Sequence, residues 1–116
     1  MFRYRKIKVY GLAQDVILDC YAMVSEFPEE EKYSLSKQIN RAAVSIISNI
    51  AEGSGRFSDK DKVHFLNISY SSMLEMMCQM ELALKLGYVD DEEFKKFESK
   101  VKNLSVRLSN FIKSLK

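Results

Sequence analysis

His64 is the only imidazole in this chain, and Cys20 and Cys78 are its only thiols. A nucleophilic site needs a hydroxyl or thiol beside an activating base, and a zinc site needs three or four ligands at short spacings. Neither pattern is present. The two cysteines lack metal-ligand spacing and read as small apolar residues. His64 has no evident Cys, Ser or carboxylate constellation around it. The carboxylates gather in Glu29–Glu31 and Asp90–Glu93, beside expected helix starts, where capping and the helix dipole explain them. We therefore expect no catalytic residue, no metal and no cofactor.

Two groups of residues still carry chemistry. Gln38, Arg41, Ser45, Asn49 and Glu52 recur at steps of three and four, which on a helix places them within an arc of about 80°. Apolar residues flank this stripe on both sides, so the expectation is a partly buried polar network that fixes helix register or subunit packing. A solvated face in which Arg41 pairs Glu52 is the other reading. The second group is the opening MFRYRKIK, where Arg3, Arg5, Lys6 and Lys8 interleave with Phe2 and Tyr4. Cations between aromatic rings suit a phosphate backbone with stackable bases. A solvated arm, or the start of the first helix, would use the same residues.

The elements that position these groups follow from periodicity. Leu35, Ile39, Ala42, Ala43, Ile46 and Ile50 form the apolar arc of a helix over Ser34–Gly53, which Ser34 can cap and the Gly53-Ser54-Gly55 turn can end in a left-handed conformation. On its far side lie Asn40, Val44, Ile47 and Ala51. That second apolar face exceeds what one small domain buries and predicts an oligomer interface through Val44, Ile47 and Ala51. Val9, Ala13, Val16, Cys20, Met23 and Phe27 make the seam of an earlier helix, stopped by Pro28. Leu66, Tyr70, Met73, Met77, Met80 and Leu84 make a third, with Phe65, Met76 and Ala83 as a flank and Ser58 with Asp61 as its capping signal. Phe94, Phe97, Val101, Leu104, Leu108, Phe111 and Leu115 make a fourth, capped by Asp90 with Glu93. No strand pattern appears. Short connections between such helices predict a single all-α domain over 1–116, an antiparallel up-down-up-down four-helix bundle that assembles into a homo-oligomer.

Composition agrees with this class. The chain has 116 residues, 47% hydrophobic and 29% charged, with one proline and four glycines, which excludes a disordered chain. A net charge of +2 implies no polyanionic partner by itself, so distribution must carry that argument. In the predicted bundle the N-terminus, the second turn and the C-terminus share one end. Arg3, Arg5, Lys6, Lys8, Lys113 and Lys116 gather there, opposite the two acidic connections. No apolar stretch is long enough to cross a membrane, and no signal peptide pattern is seen; we expect a soluble, cytoplasmic protein without a membrane partner.

The strings FPEEEKYSL, QINRAAVSIISNIAEGSGR, FLNISYSSMLE and LALKLGY occur in this order. They resemble a family of bacterial four-helix-bundle proteins often encoded in intervening sequences of 23S rRNA genes. The likeness runs from about Ile7 to Tyr88. Three positions depart from it: Asn40 replaces the first of two arginines common in the family, Ile47 stands where proline is frequent, and Ser71 replaces a glycine. The first removes a phosphate contact, and the second makes a straight helix easier. The resemblance implies a ring-shaped homopentamer. Some relatives accompany diversity-generating retroelements, which implies binding to RNA or DNA and to a reverse transcriptase. The expected function is non-enzymatic binding of RNA or DNA with little sequence preference; a protein–protein adaptor is the alternative.

Overall fold

The apolar seams wind into four helices, α1 (Lys8–Val24), α2 (Leu35–Ser54), α3 (Asp59–Lys85) and α4 (Asp91–Ser114). The computed structural model describes residues 2–116. Two short 3-10 turns, Arg3–Lys6 and Glu29–Glu31, complete the element order. Each helix packs on its sequence neighbours, and α1 closes the square against α4. On α2 and α3 the partners run in opposite directions: Ser45 meets Ser72, Ile46 meets Ser69, and Gly53 meets Phe65. A helix the length of α3, 27 residues, spans about 40 Å, so the 43 Å long axis is the length of the longest helix. All-α architecture and the four-helix bundle are as the sequence predicts.

In α1 every predicted seam residue from Val9 to Met23 is buried, and Phe27 closes the end of the core. Cys20 is fully enclosed, and burial pushes its thiol up to about 12. The thiolate needed for oxidation or metal binding is thereby suppressed. In α4 the buried set is Phe94, Phe97, Val101, Leu104, Leu108 and Ile112. Its last turn is rotated by one residue from the predicted seam, leaving Phe111 and Leu115 half-buried.

The inward face of α3 differs from the expected seam. Leu66, Met73 and Met80 are buried as predicted, but Ser69, Ser72, Met76 and Ala83 share the core, while Tyr70, Met77 and Leu84 are half-buried. The reason is the closeness of α2. Ser69 Oγ donates to the Ile46 carbonyl at 2.7 Å, and Ser72 and Ser45 share a hydroxyl hydrogen bond of 2.7 Å. Both bonds satisfy buried hydroxyls that would otherwise be costly, and small side chains let the two helices approach.

Gly53 serves the same approach rather than the end of α2. A Cβ there would lie 3.1 Å from Phe65 Cβ and 3.2 Å from the Lys62 carbonyl oxygen. The helix ends at Gly55 in right-handed geometry (φ −89°), not in the left-handed turn expected. That conformation occurs at the end of α3 instead, where Gly87 has φ +84°. There the Tyr88 N–H donates to Ala83 O and the Gly87 N–H to Leu84 O, a Schellman closure.

Ser58 and Asp90 cap α3 and α4 as expected, accepting from Asp61 N–H at 3.1 Å and Glu93 N–H at 2.8 Å. Ser34 does not cap α2 with its side chain. Its hydroxyl donates to Glu31 Oε1, which also accepts from the Leu35 N–H at 3.4 Å. The other oxygen of Glu31 accepts from Tyr88 Oη at 2.8 Å, so one carboxylate ties both connections at this end. Donation by Tyr88 is the main reason the Glu31 carboxyl titrates below its ordinary range.

Candidate nucleic-acid interface

In the basic N-terminal stretch, of which Met1 lies outside the described residues, Arg3–Lys6 are neither a free arm nor the first turn of α1, and only Lys8 belongs to that helix. Ile7 is extended and breaks the helical path, and Arg3–Lys6 form a separate 3-10 turn that packs on α1 and α2. Tyr4 anchors it, meeting the Tyr10 ring edge-on at 4.8 Å between centroids. Phe2 stacks on Tyr4 at 6.1 Å, and the Arg5 guanidinium lies about 6 Å from both rings. These contacts hold Arg3, Arg5, Lys6 and Lys8 on the surface, all exposed.

The turn leaves a groove between itself and the last turns of α2, with Phe2, Arg3 and Tyr4 on one side and Ser48, Glu52 and Arg56 on the other. Arg56 Nη2 donates to Glu52 Oε1 at 3.0 Å, and its guanidinium lies 4.4 Å from the Phe65 ring centroid. Beyond it Phe57 projects entirely into solvent, 103% exposed. Lys113 in the last turn of α4 and Lys116 just beyond it are exposed, and α4 ends at the same pole of an up-down-up-down bundle. Among the described residues none of Arg3, Arg5, Lys6, Lys8, Lys113 and Lys116 forms an ion pair. Arg56 and Phe57 escaped the sequence reading; the only signal for them was an aromatic in a glycine-serine turn.

The polar stripe of α2 is only partly joined. Asn49 Nδ2 donates to the Ser45 carbonyl at 2.8 Å and to Ser45 Oγ at 3.1 Å, and Ser72 of α3 completes the cluster. Gln38, Arg41 and Glu52 are exposed. Glu52 bonds Arg56, and Arg41 forms no ion pair among the described residues. Arg41 is long enough to carry its charge into water from the edge of the α2–α3 seam, which the flanking apolar faces do not cover. The five-residue network expected from spacing is thus a Ser45–Asn49–Ser72 cluster.

The far side of α2 is also more occupied than its pattern implies. Ile47 packs against the core, and Ala51 lines the groove under the N-terminal 3-10 turn; Val44 remains 43% exposed. Leu18 and Tyr21 of α1 are also exposed. Tyr21 and Asn40 share one groove there, and Asn40 Oδ1 is sealed from solvent without a partner. On α3 a second exposed row, Leu74, Cys78 and Leu82, repeats every four residues.

The model of the 23S rRNA-intervening sequence protein family matches residues 5–110. The chain belongs to that family. A crystal structure of a protein of unknown function from the S23 ribosomal protein family of Bacteroides thetaiotaomicron has the same fold, with TM-score 0.83 and 24% identity over 90% of this chain and 95% of that one. No curated protein matches. Neither the family nor this structural neighbour indicates an enzymatic class. Among the described residues no three His, Cys, Asp or Glu side chains are grouped to hold a metal ion. No described helix is long and apolar enough to cross a membrane.

Proposed function

We propose that this family member is a non-enzymatic, self-associating bundle that binds RNA or DNA through its basic end, with little sequence preference. The observation that carries this reading is the segregation of charge along the long axis. Among the described residues Arg3, Arg5, Lys6, Lys8, Lys113 and Lys116 form no ion pair and lie toward one pole, and Glu29–Glu31 and Asp90–Glu93 lie toward the other. Unpaired surface cations release counterions from a phosphate backbone additively, without reading base edges.

Self-association multiplies this effect. The exposed apolar residues Leu18 and Tyr21 of α1 and Val44 of α2, and the row of Leu74, Cys78 and Leu82 on α3, lie on different helices. Two unlike apolar faces suit a head-to-tail ring, in which one face of each copy meets the other face of the next. The family resemblance sets the proposed count at five. Parallel axes in such a ring bring every basic pole to one side. The same apolar rows favour the second reading, an adaptor that presents them to another protein.

Replacing Arg3, Arg5 and Lys6 together by Ala tests the site. Binding to unrelated RNA and DNA sequences should weaken alike, whereas changing Glu29, Glu30 and Glu31 to Gln should have much less effect. Wild-type affinity in the triple variant would remove the N-terminal turn from the interface.

A further inference from the structure

The outer faces of α2 and α3 carry opposite charge. Between Leu35 and Ala51, α2 has Lys37 and Arg41 and no carboxylate; between Val63 and Leu84, α3 has Glu75 and Glu81 and no Lys or Arg. All four side chains are exposed, and among the described residues none forms an ion pair.

Each face joins its charge to apolar surface. Lys37 lines a groove between the end of α1 and the start of α2, together with Tyr21, Phe27, Pro28, Tyr33 and Asn40. Glu81 immediately precedes Leu82 in the exposed row Leu74, Cys78 and Leu82, which Leu86 continues just past the helix. Residues four apart make a ridge on a helix, the shape that fills a groove in helix packing. The groove opens on the α1–α2 side of the bundle and the ridge lies on α3, so one copy can use both at once.

The two surfaces also lie at one height. α2 and α3 are antiparallel, with Ser45 level with Ser72. Lys37 lies eight residues before Ser45 and Glu81 nine after Ser72, so both stand about 12–14 Å farther toward the acidic pole at the helical rise. By the same count Cys78 and Leu82 are level with Ile39 and Leu35, within the span of the groove. Rotation about an axis parallel to the bundle keeps every residue at its own height. A ring built on such an axis therefore brings ridge and groove together without slippage. Contact of either face with itself would set like charges together, whereas head-to-tail contact pairs opposite ones.

We propose that the α3 ridge of one copy docks in the α1–α2 groove of the next, with Glu81 against Lys37. This rests on the self-association in the reading above and names the two faces that make it.

Sedimentation of the full chain tests the charge pairing. Lys37→Glu or Glu81→Lys alone should weaken assembly by on the order of tenfold or more, because each sets like charges face to face. The two together should restore it. Both sites are exposed, and circular dichroism should show unchanged helix content in all three variants. Ser36, in the groove wall, gives a second measurement. In Ser36→Cys a short bismaleimide should join the new thiol to Cys78 of the next copy, while Cys20 is enclosed and does not compete. Every copy carries both thiols, so covalent trimers and larger products should form, and adding Cys78→Ser should abolish them. An oligomeric wild type whose mass ignores both charge reversals, a double variant no better than the single ones, or covalent products that stop at dimers overturns this docking and leaves self-association standing. A monomeric wild type overturns both and leaves the groove to another protein.

Discussion

Two glycines should answer the same substitution with opposite signs. Gly11 lies on the exposed side of α1, and a Cβ there would meet nothing within 4 Å. Gly11→Ala should therefore stabilise by about 0.5–1 kcal/mol, the difference in helix propensity. Gly53 is also helical and stands to gain the same amount. Its added Cβ, however, would sit 3.1 Å from Phe65 Cβ, 3.2 Å from Lys62 O and 3.4 Å from Leu66 Cγ, inside the ordinary carbon contact of about 3.5–4.0 Å. The first two atoms are fixed to the backbone of α3, so no side chain can swing aside. The helix itself must retreat, which stretches the Ser69–Ile46 and Ser45–Ser72 hydrogen bonds. Overpacking of this kind costs about 1–3 kcal/mol, which outweighs the propensity gain and leaves a net loss of about 1 kcal/mol. With a urea m-value of about 1.5 kcal/mol/M for a chain of this size, the midpoint should fall by about 0.7 M in Gly53→Ala and rise by about 0.5 M in Gly11→Ala. Both should be measured at one protein concentration, because an oligomer's apparent stability depends on it. A rise in both variants would refute the close approach of α2 to α3.

Other expectations follow from the same contacts. Ser69→Val should cost about 1–3 kcal/mol by overpacking a fully buried site, whereas Arg41→Ala should stay within about 0.5 kcal/mol, as for an ordinary surface residue; urea unfolding compares them directly, and a large loss in Arg41→Ala would restore the wider polar network. Glu31 should titrate by NMR below the ordinary glutamate value of about 4.3, and Tyr88→Phe should bring it back up. A lowered folded value stabilises the protein above the ordinary carboxylate range and is lost as pH falls through it, so the stability gap between wild type and Tyr88→Phe should narrow in acid. Val44→Glu and Leu82→Glu should each reduce the mass measured by light scattering, since each places a charge in one of the two apolar faces; a monomeric wild type removes the ring.

The bundle was legible because the apolar seams of α1, α2 and all but the last turn of α4 recur at helical spacing and are the residues that the core buries. In α3 the pattern misled, since methionines lie around much of the helix and the core face contains Ser69 and Ser72. Hydropathy scores such serines as solvent-facing, and only the α2 backbone and Ser45 show where their hydroxyls go. Gly53 read as a helix stop because its neighbour across the α2–α3 seam is invisible in one dimension. The basic residues at the pole were visible by counting, but their placement depended on Tyr4 meeting Tyr10. Arg41 read as buried because spacing gives a direction around the helix and not the reach of a long side chain.

The most direct measurement of the proposed function is the salt dependence of binding to generic RNA and DNA. Fluorescence anisotropy of the wild type should give affinity for both that falls linearly on a double-logarithmic plot, with a slope near −0.9 per duplex phosphate contact and about −0.7 on single strands. Several exposed cations per subunit require a slope of several such contacts, and unrelated sequences should share it. Absence of binding to either nucleic acid at low ionic strength, or an affinity indifferent to salt, would contradict a phosphate-binding basic pole.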